Sequence, residues 1–283
     1  MKRIGIVAKQ GRAEPVEVLK DLIPYLKDRG YEVFIEKWAA LELGIHGHTR
    51  DELPELIDLL IVLGGDGTML SAARLVAERE IPLLGINLGG LGFITEINLS
   101  EMYDLLDDLL NERCIVEERM MIDASVFRGG KMLTHHTVLN DVVITKGALA
   151  RIIDLKTTIN RLYVSTFKAD GLIIATPTGS TAYNLSAGGP ILHPSMESFV
   201  ITPICPHTLT NRPIVISCDS EISVNLESES EDVFLTLDGQ VGLAIRRDDR
   251  VVIRKSPYRT KLLIPCERDY FQILREKLQW GKR

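Results

Sequence analysis

The chain contains no run of about 18 apolar residues, so it encodes no helix able to span a bilayer. Its opening, MKRIGIVAKQG, joins a basic flank to apolar residues. The apolar part is too short for a signal peptide and no small-residue cleavage site follows, so it reads as a first strand. Basic residues are not in excess: 33 Lys and Arg face 39 Asp and Glu, a net charge of −6. Binding nucleic acid by phosphate neutralisation needs a basic face, so neither a nucleic-acid nor a membrane partner is expected. The four cysteines, Cys114, Cys205, Cys218 and Cys266, include no C-x-x-C pair, which disfavours a zinc knuckle or a redox dithiol. Free thiols suit a reducing, cytoplasmic setting. No Walker A lysine pattern occurs, which disfavours a P-loop NTPase. His46 and His48 lack a third ligand at metal spacing, and the rings of adjacent His135 and His136 face opposite sides of a strand. No fixed protein metal site is expected.

What is present divides in two. With 283 residues the chain is long enough for two domains, each with its own core. The first third alternates strand and helix signals. Strands are read at Arg3–Ala8, Tyr31–Ile35, Leu59–Leu63 and Ile81–Ile86, and helices at Pro15–Arg29, Met69–Ala77 and Leu99–Leu110. Pro24 is expected to kink the first helix and Gly30 to cap it. Apolar strands separated by helices predict an α/β domain with an open parallel, Rossmann-like sheet. After about residue 113 short β-branched runs take over, among them Ala124–Phe127, Thr137–Thr145, Leu172–Ala175, Phe199–Thr202 and Val233–Leu237. Turn signals such as Arg128–Lys131 and Asp238-Gly239 separate them, which predicts an all-β sandwich. The expected division is 1–113 and 114–264, with a C-terminal helix in 265–283 docking back on the first domain.

Three stretches carry chemistry. Gly64-Gly65-Asp66-Gly67-Thr68 lies between a buried strand and a helix. Glycines let backbone approach a ligand, and the helix N-terminus offers N–H groups and partial positive charge to phosphate. An aspartate there suits a hydroxyl or a metal beside the phosphates; it is also what a helix cap would be. The second stretch, Asp170–Tyr183, runs from a strand into a turn rich in hydroxyls, where Thr178, Ser180 and Thr181 can bond phosphate or ribose oxygens. A plain Ser/Thr cap explains one hydroxyl there and not four. The third, Asn140-Asp141, interrupts a β-branched strand, either to bind ribose hydroxyls or to make a bulge.

Together these stretches resemble the NAD kinase family. GGDGT at 64–68 alone is shared with phosphofructokinases and with diacylglycerol and sphingosine kinases; DGLIIATPTGSTAYNLSAGGP at 170–190 selects NAD kinase among them. The resemblance implies transfer of the γ-phosphoryl of ATP to the 2′-hydroxyl of the adenosine ribose of NAD, giving NADP and ADP. It implies Asp66 as general base, with Gly67 beside it. Gly64, Gly65, Gly67 and Thr68 would hold the ATP phosphates, with a divalent cation, Mg²⁺, arriving with the nucleotide. NAD would lie between the domains. The family's Asn-Glu pair is Asn140-Asp141 here, one methylene shorter. Asp170 would bind the nicotinamide amide, and Arg151 and Lys168 would lie near the dinucleotide phosphates. Thr178, Thr181, Ala182, Tyr183, Asn184, Leu185 and Ser186 would line the adenine and nicotinamide pockets, and Gln240 would make a late contact. The family also implies a homodimer or homotetramer. A lipid kinase would share GGDGT but need an acyl-chain entry, and a non-catalytic NAD-binding regulator would have no use for Asp66.

Overall fold

A computed structural model of the chain describes residues 2–95, 97–110, 113–148, 150–229, 232–266 and 269–281. In chain order the first elements are β1 (Arg3–Ala8), α1 (Glu14–Asp28), β2 (Glu32–Ile35), α2 (Lys37–Glu42), α3 (Leu53–Leu56), β3 (Leu59–Gly64), α4 (Asp66–Val76), β4 (Leu83–Asn87), β5 (Ile97–Asn98) and α5 (Met102–Leu110). Strands then dominate: β6 (Cys114–Arg128), β7 (Lys131–Val138), β8 (Asp141–Lys146), β9 (Ile153–Ile159), β10 (Leu162–Ala169) and β11 (Gly171–Ala175). The short helix α6 (Tyr183–Ser186) precedes β12 (Ser198–Ile204), β13 (Ile214–Ser217), β14 (Ile222–Leu226), β15 (Val233–Leu237), β16 (Val241–Ile245), β17 (Arg250–Pro265) and the final helix α7 (Tyr270–Leu278).

These elements form two compact units, Met1–Glu118 with Thr260–Arg283, and Arg119–Arg259. The boundaries fall inside β6 and β17, two long strands that begin in one unit and end in the other. The change of sequence texture near residue 113 therefore marks the start of β6. The C-terminal segment carrying α7 belongs to the first unit.

In the first unit β2, β1, β3 and β4 lie side by side and parallel, with β5 and the end of β17 on β4. β3 is buried along its whole length, as its uninterrupted apolar sequence requires when both sheet faces are covered. α1 buries Val16, Leu19, Leu22, Ile23 and Leu26. The helix continues through Pro24, which lies on its exposed face. Gly30, at φ +83°, ends it, with its N–H donating to the carbonyl of Lys27 at 2.9 Å. From β1 the chain turns to β2 on one side and returns to β3 on the other. β1 and β3 therefore flank a topological switch point, and ligands of open α/β sheets bind beyond the C-terminal ends of such strands. Ala8, Gly64 and Asn87 end β1, β3 and β4 at that edge.

The second unit is an antiparallel sandwich. One layer runs β10–β9–β14–β17, with the β6–β7 hairpin beside β17; the other runs β13–β12–β11–β8–β15–β16. Ile122, Val138, Leu155, Ile174, Phe199 and Leu235 are among the buried side chains of its core. β11 is buried throughout: Leu172 and Ile174 belong to that core, while Ile173 and Ala175 pack with Val143, Leu192 and Val200.

Two expectations need correction, and three elements went unread. Thr137–Thr145 is two strands, because Leu139 and Asn140 leave the ladder between β7 and β8. The helix after Gly65 begins at Asp66 rather than Met69, so Gly67 and Thr68 form its first turn. β16, α2 and α3 carry too few residues of clear periodicity to be read from sequence. The acidic run Glu227–Asp232 lies partly outside the described residues.

Candidate functional site

In the first unit the switch point holds a cavity of about 350 Å³. Gly64, Gly65 and Asp66 line it from the end of β3, Asn87, Gly89 and Gly90 from beyond β4. Gly64 is buried against Thr68, whose side chain occupies the space a Cβ at Gly64 would need. This lets α4 start directly at the strand end, aiming its N-terminal N–H groups and partial positive charge at the cavity. The N-cap is Gly65, and no side chain caps the helix. The capping explanation of Asp66 is thereby removed.

The Asp66 carboxylate instead gathers the loop after β4. The Phe93 N–H donates to Oδ2 at 2.9 Å. The N–H groups of Ile94 (3.2 Å) and Thr95 (3.0 Å) and the Thr95 hydroxyl (2.8 Å) donate to Oδ1. Oδ1 is thus saturated, whereas Oδ2 takes one bond and can accept another. Gly92 is needed for this approach, since a Cβ there would overlap Asp66 Oδ1. Asn87 braces the same loop by donating to the carbonyls of Gly90 (2.8 Å) and Thr95 (3.3 Å) and accepting from the Gly89 N–H at 2.8 Å.

In the second unit Asn140 lies in the break between β7 and β8 and Asp141 opens β8, both held there by a residue that sequence reasoning passed over. Asp238 sits in the turn after β15 with φ +50°, and its carboxylate accepts from the N–H groups of Leu139 (3.2 Å), Asn140 (2.7 Å) and Asp141 (3.3 Å). From the other side Thr176 donates its N–H to the Asn140 carbonyl at 2.9 Å and its hydroxyl to the Leu139 carbonyl at 2.6 Å. Asn140 Oδ1 is buried and accepts no bond from the described residues. A donor from a ligand or a water can complete such a buried acceptor. Burial, together with the neighbouring Asp238, pushes the Asp141 carboxyl up to about 7.

The remaining predicted residues divide along the β8–β11 ladder, in which Ala175 faces Asp141 and Gly171 faces Thr145. Gln240, exposed in the Asp238 turn, and Thr178, buried beside Arg119 at 3.5 Å, lie toward the Asp141 end. Asp170 lies past the other end, its Oδ1 3.6 Å from Lys146. Lys168 is nearby, 3.8 Å from Asp154. Exposed Arg151 precedes Ile153, which pairs with Ala169, and so belongs to the same end. The ends are about 14 Å apart at the usual rise per residue. Beyond Thr178, Thr181 and Ala182 are partly buried, Tyr183 and Ser186 exposed and Leu185 half-buried.

Asn184 lies inside the turn. It has no exposed surface, and its amide is consumed within the turn: it donates to the carbonyls of Ser180 (2.9 Å) and Pro190 (3.0 Å) and accepts from the Thr202 hydroxyl at 2.6 Å. Ser180 is likewise turned inward, donating to the Pro177 carbonyl and accepting from the Leu192 N–H. These two shape the turn that presents their neighbours. The Asn87–Phe93 glycine run and the Asp238-Gly239 turn were visible as loops in the sequence; the latching role of Thr95 and Asp238 needed the fold.

Among the described residues no group of three or more His, Cys, Asp and Glu can hold a metal ion, and no helix is long and apolar enough to cross a membrane.

A glycine-rich strand-to-helix turn at the switch point of one unit, with an antiparallel sandwich as the other unit, is a fold suited to binding a nucleotide. Residues 4–114 match the ATP-NAD kinase N-terminal domain and residues 139–264 the ATP-NAD kinase C-terminal domain. The NAD kinases of Geotalea daltonii and Geobacter sulfurreducens are each 52% identical to the chain over 284 residues, covering all of both proteins. A crystal structure of yeast NADH kinase complexed with NADH superposes with a TM-score of 0.94 at 24% identity, over 100% of this chain and 89% of that one. An NAD kinase from Archaeoglobus fulgidus in complex with ATP gives 0.79 at 25% identity, over 98% of each. The chain belongs to the NAD kinase family.

Proposed function

We infer that this chain transfers the γ-phosphoryl of ATP to the 2′-hydroxyl of the adenosine ribose of NAD. The observation that carries the mechanism is the Asp66 carboxylate, fixed at the rim of a glycine-lined cavity with one acceptor position left on Oδ2. Phosphoryl transfer asks a protein chiefly for in-line positioning and charge neutralisation. The α4 N-terminus, with Gly64, Gly65, Gly67 and Thr68, receives the ATP phosphates. Asp66 Oδ2 accepts the hydrogen bond of the attacking hydroxyl and takes its proton as the new ester bond forms. Asn140 and Asp141 hold the ribose and adenine: Asn140 Oδ1 supplies the unfilled acceptor, and Asp141, half protonated near neutral pH, both donates and accepts.

Two carboxylates line the cavity, Glu14 and Asp66, the latter with an acceptor position left on Oδ2, which suits a cation held mainly by nucleotide phosphates. The divalent cation therefore enters as part of the nucleotide substrate, where Mg²⁺ neutralises phosphate charge. Arg151, Lys168 and Asp170 serve the dinucleotide from beyond the far end of the ladder. The two clusters lie at opposite ends of the β8–β11 ladder, and β11 between them is buried. A second copy of the chain bringing that end to the site explains both clusters, so the enzyme is read as a homodimer or homotetramer. Its substrates, and four cysteines none of which is in a disulfide, suit the cytoplasm.

A steady-state assay tests this reading. NADP should form only when NAD, ATP and Mg²⁺ are all supplied. Formation that persists in EDTA, or phosphorylation of a diacylglycerol in place of NAD, overturns it.

A further inference from the structure

The donor-phosphate cavity has cations as well as glycines. Lys9 and Arg12 line it from the loop after β1, and Lys277 lines it from the last turn of α7, more than 260 positions along the chain. Most of the arginines and lysines placed near carboxylates are paired, such as Arg3 with Asp58 and Lys261 with Glu80. Among the described residues Lys9, Arg12 and Lys277 have no such partner. Two carboxylates share the cavity wall, Glu14 and Asp66, the latter holding the N–H groups of residues 93–95. Three cations against two carboxylates give this cavity a local excess of positive charge in a protein of net charge −6, which attracts anions.

Lys277 is also placed. Its ammonium lies 5.5 Å from the centre of the Phe93 ring, within cation–π range. The Phe93 N–H is the group held by Asp66 Oδ2 at 2.9 Å. One carboxylate therefore fixes both the glycine-rich loop and the aromatic platform under the lysine.

Resting on the donor site inferred above, we propose that Lys277 is a phosphate-binding residue supplied by the C-terminal helix, and that with Lys9 and Arg12 it clamps the polyphosphate tail of the donor. The chemistry recognised is a chain of phosphates. It is carried equally by a nucleoside triphosphate and by inorganic polyphosphate, because the three cations offer charge and N–H donors and nothing that reads a base.

The test uses the full chain with Lys277→Gln and Lys277→Arg. Inorganic tripolyphosphate is titrated calorimetrically, which needs no turnover, and KM is measured for ATP and for NAD. For Lys277→Gln the expected result is about tenfold weaker tripolyphosphate binding and an about tenfold higher KM for ATP. KM for NAD should stay within about twofold, and Lys277→Arg should recover most of the loss. AMP binding, which lacks the tail, should not respond. Lys277 is exposed, so the variants keep their fold, which the melting temperature checks. Equal tripolyphosphate binding by parent and Lys277→Gln, or none by the parent, overturns the clamp. In that case NADP formation by the parent still decides the kinase reading on its own.

Discussion

Replacing Asp66 with asparagine separates its two roles. The side chain keeps its shape, and Oδ1 can still accept from Ile94, Thr95 and the Thr95 hydroxyl. The other oxygen becomes an NH₂ group facing the Phe93 N–H, at a site where a 2.9 Å charge-assisted bond stood. Losing that bond and setting donor against donor costs about 2–3 kcal/mol, which lowers the melting temperature of the first unit by roughly 5–10 °C. If Oδ2 also accepts the proton of the ribose hydroxyl, kcat falls by about 10²–10⁴-fold, the usual share of acid–base catalysis. Stability and rate then fall together, so a control must loosen the latch without touching the base. Thr95→Val does so. It removes the 2.8 Å hydroxyl bond to Oδ1 and the 3.1 Å bond that the hydroxyl accepts from Asn87, which keeps its bonds to the carbonyls of Gly90 and Thr95. Its expected cost is about 2–3 kcal/mol, with kcat within about tenfold of the parent. Both variants are assayed for kcat, KM for NAD and melting temperature. Near-normal kcat in Asp66→Asn refutes the base. A fall in Thr95→Val that matches Asp66→Asn per kcal/mol of lost stability also refutes it, since the loop alone would then account for the rate.

Three further outcomes follow from the second unit. The Asp141 carboxyl, raised to about 7, binds more protons folded than unfolded between its unfolded value near 4 and 7, so its contribution to stability is lost as pH rises through that window. Asp141→Asn should therefore gain on the order of 2–4 kcal/mol over the parent in urea unfolding at pH 8 and nothing at pH 4; an equal gain at both pH values refutes the assignment. Asp238→Asn weakens the three N–H bonds that shape residues 139–141, and should raise KM for NAD about tenfold with kcat little changed, as steady-state kinetics will show. Gly179→Ala would put a Cβ onto the Asn140 carbonyl oxygen, a backbone atom that cannot swing away, and should cost about 2–4 kcal/mol by thermal melting as well as NAD affinity.

The architecture was legible because its signals are local. The Leu59–Leu63 run announced a strand buried on both faces, and the alternating β-branched runs after residue 113 announced a sandwich. The glycine-rich turn marked the phosphate end of the sheet for the same reason, since strand, turn and helix follow one another. Asp238 illustrates what was hidden. It lies 97 positions from Asp141, and only the pairing of β15 with β8 brings its carboxylate to the Asn140 backbone. Lys277 was equally invisible, a basic residue in an ordinary last helical turn until α7 packs by Phe93. For Asn184 its place in the motif was visible, whereas the three internal bonds by which its side chain braces the turn were not.

The site of phosphorylation tests the account most directly. The full chain, incubated with NAD, ATP and Mg²⁺, yields a product whose phosphate can be located by proton–phosphorus correlation NMR. A new monoester correlated with the 2′ proton of the adenosine ribose is the predicted result. A phosphate on the nicotinamide ribose, or NAD left unmodified by a folded protein, contradicts it.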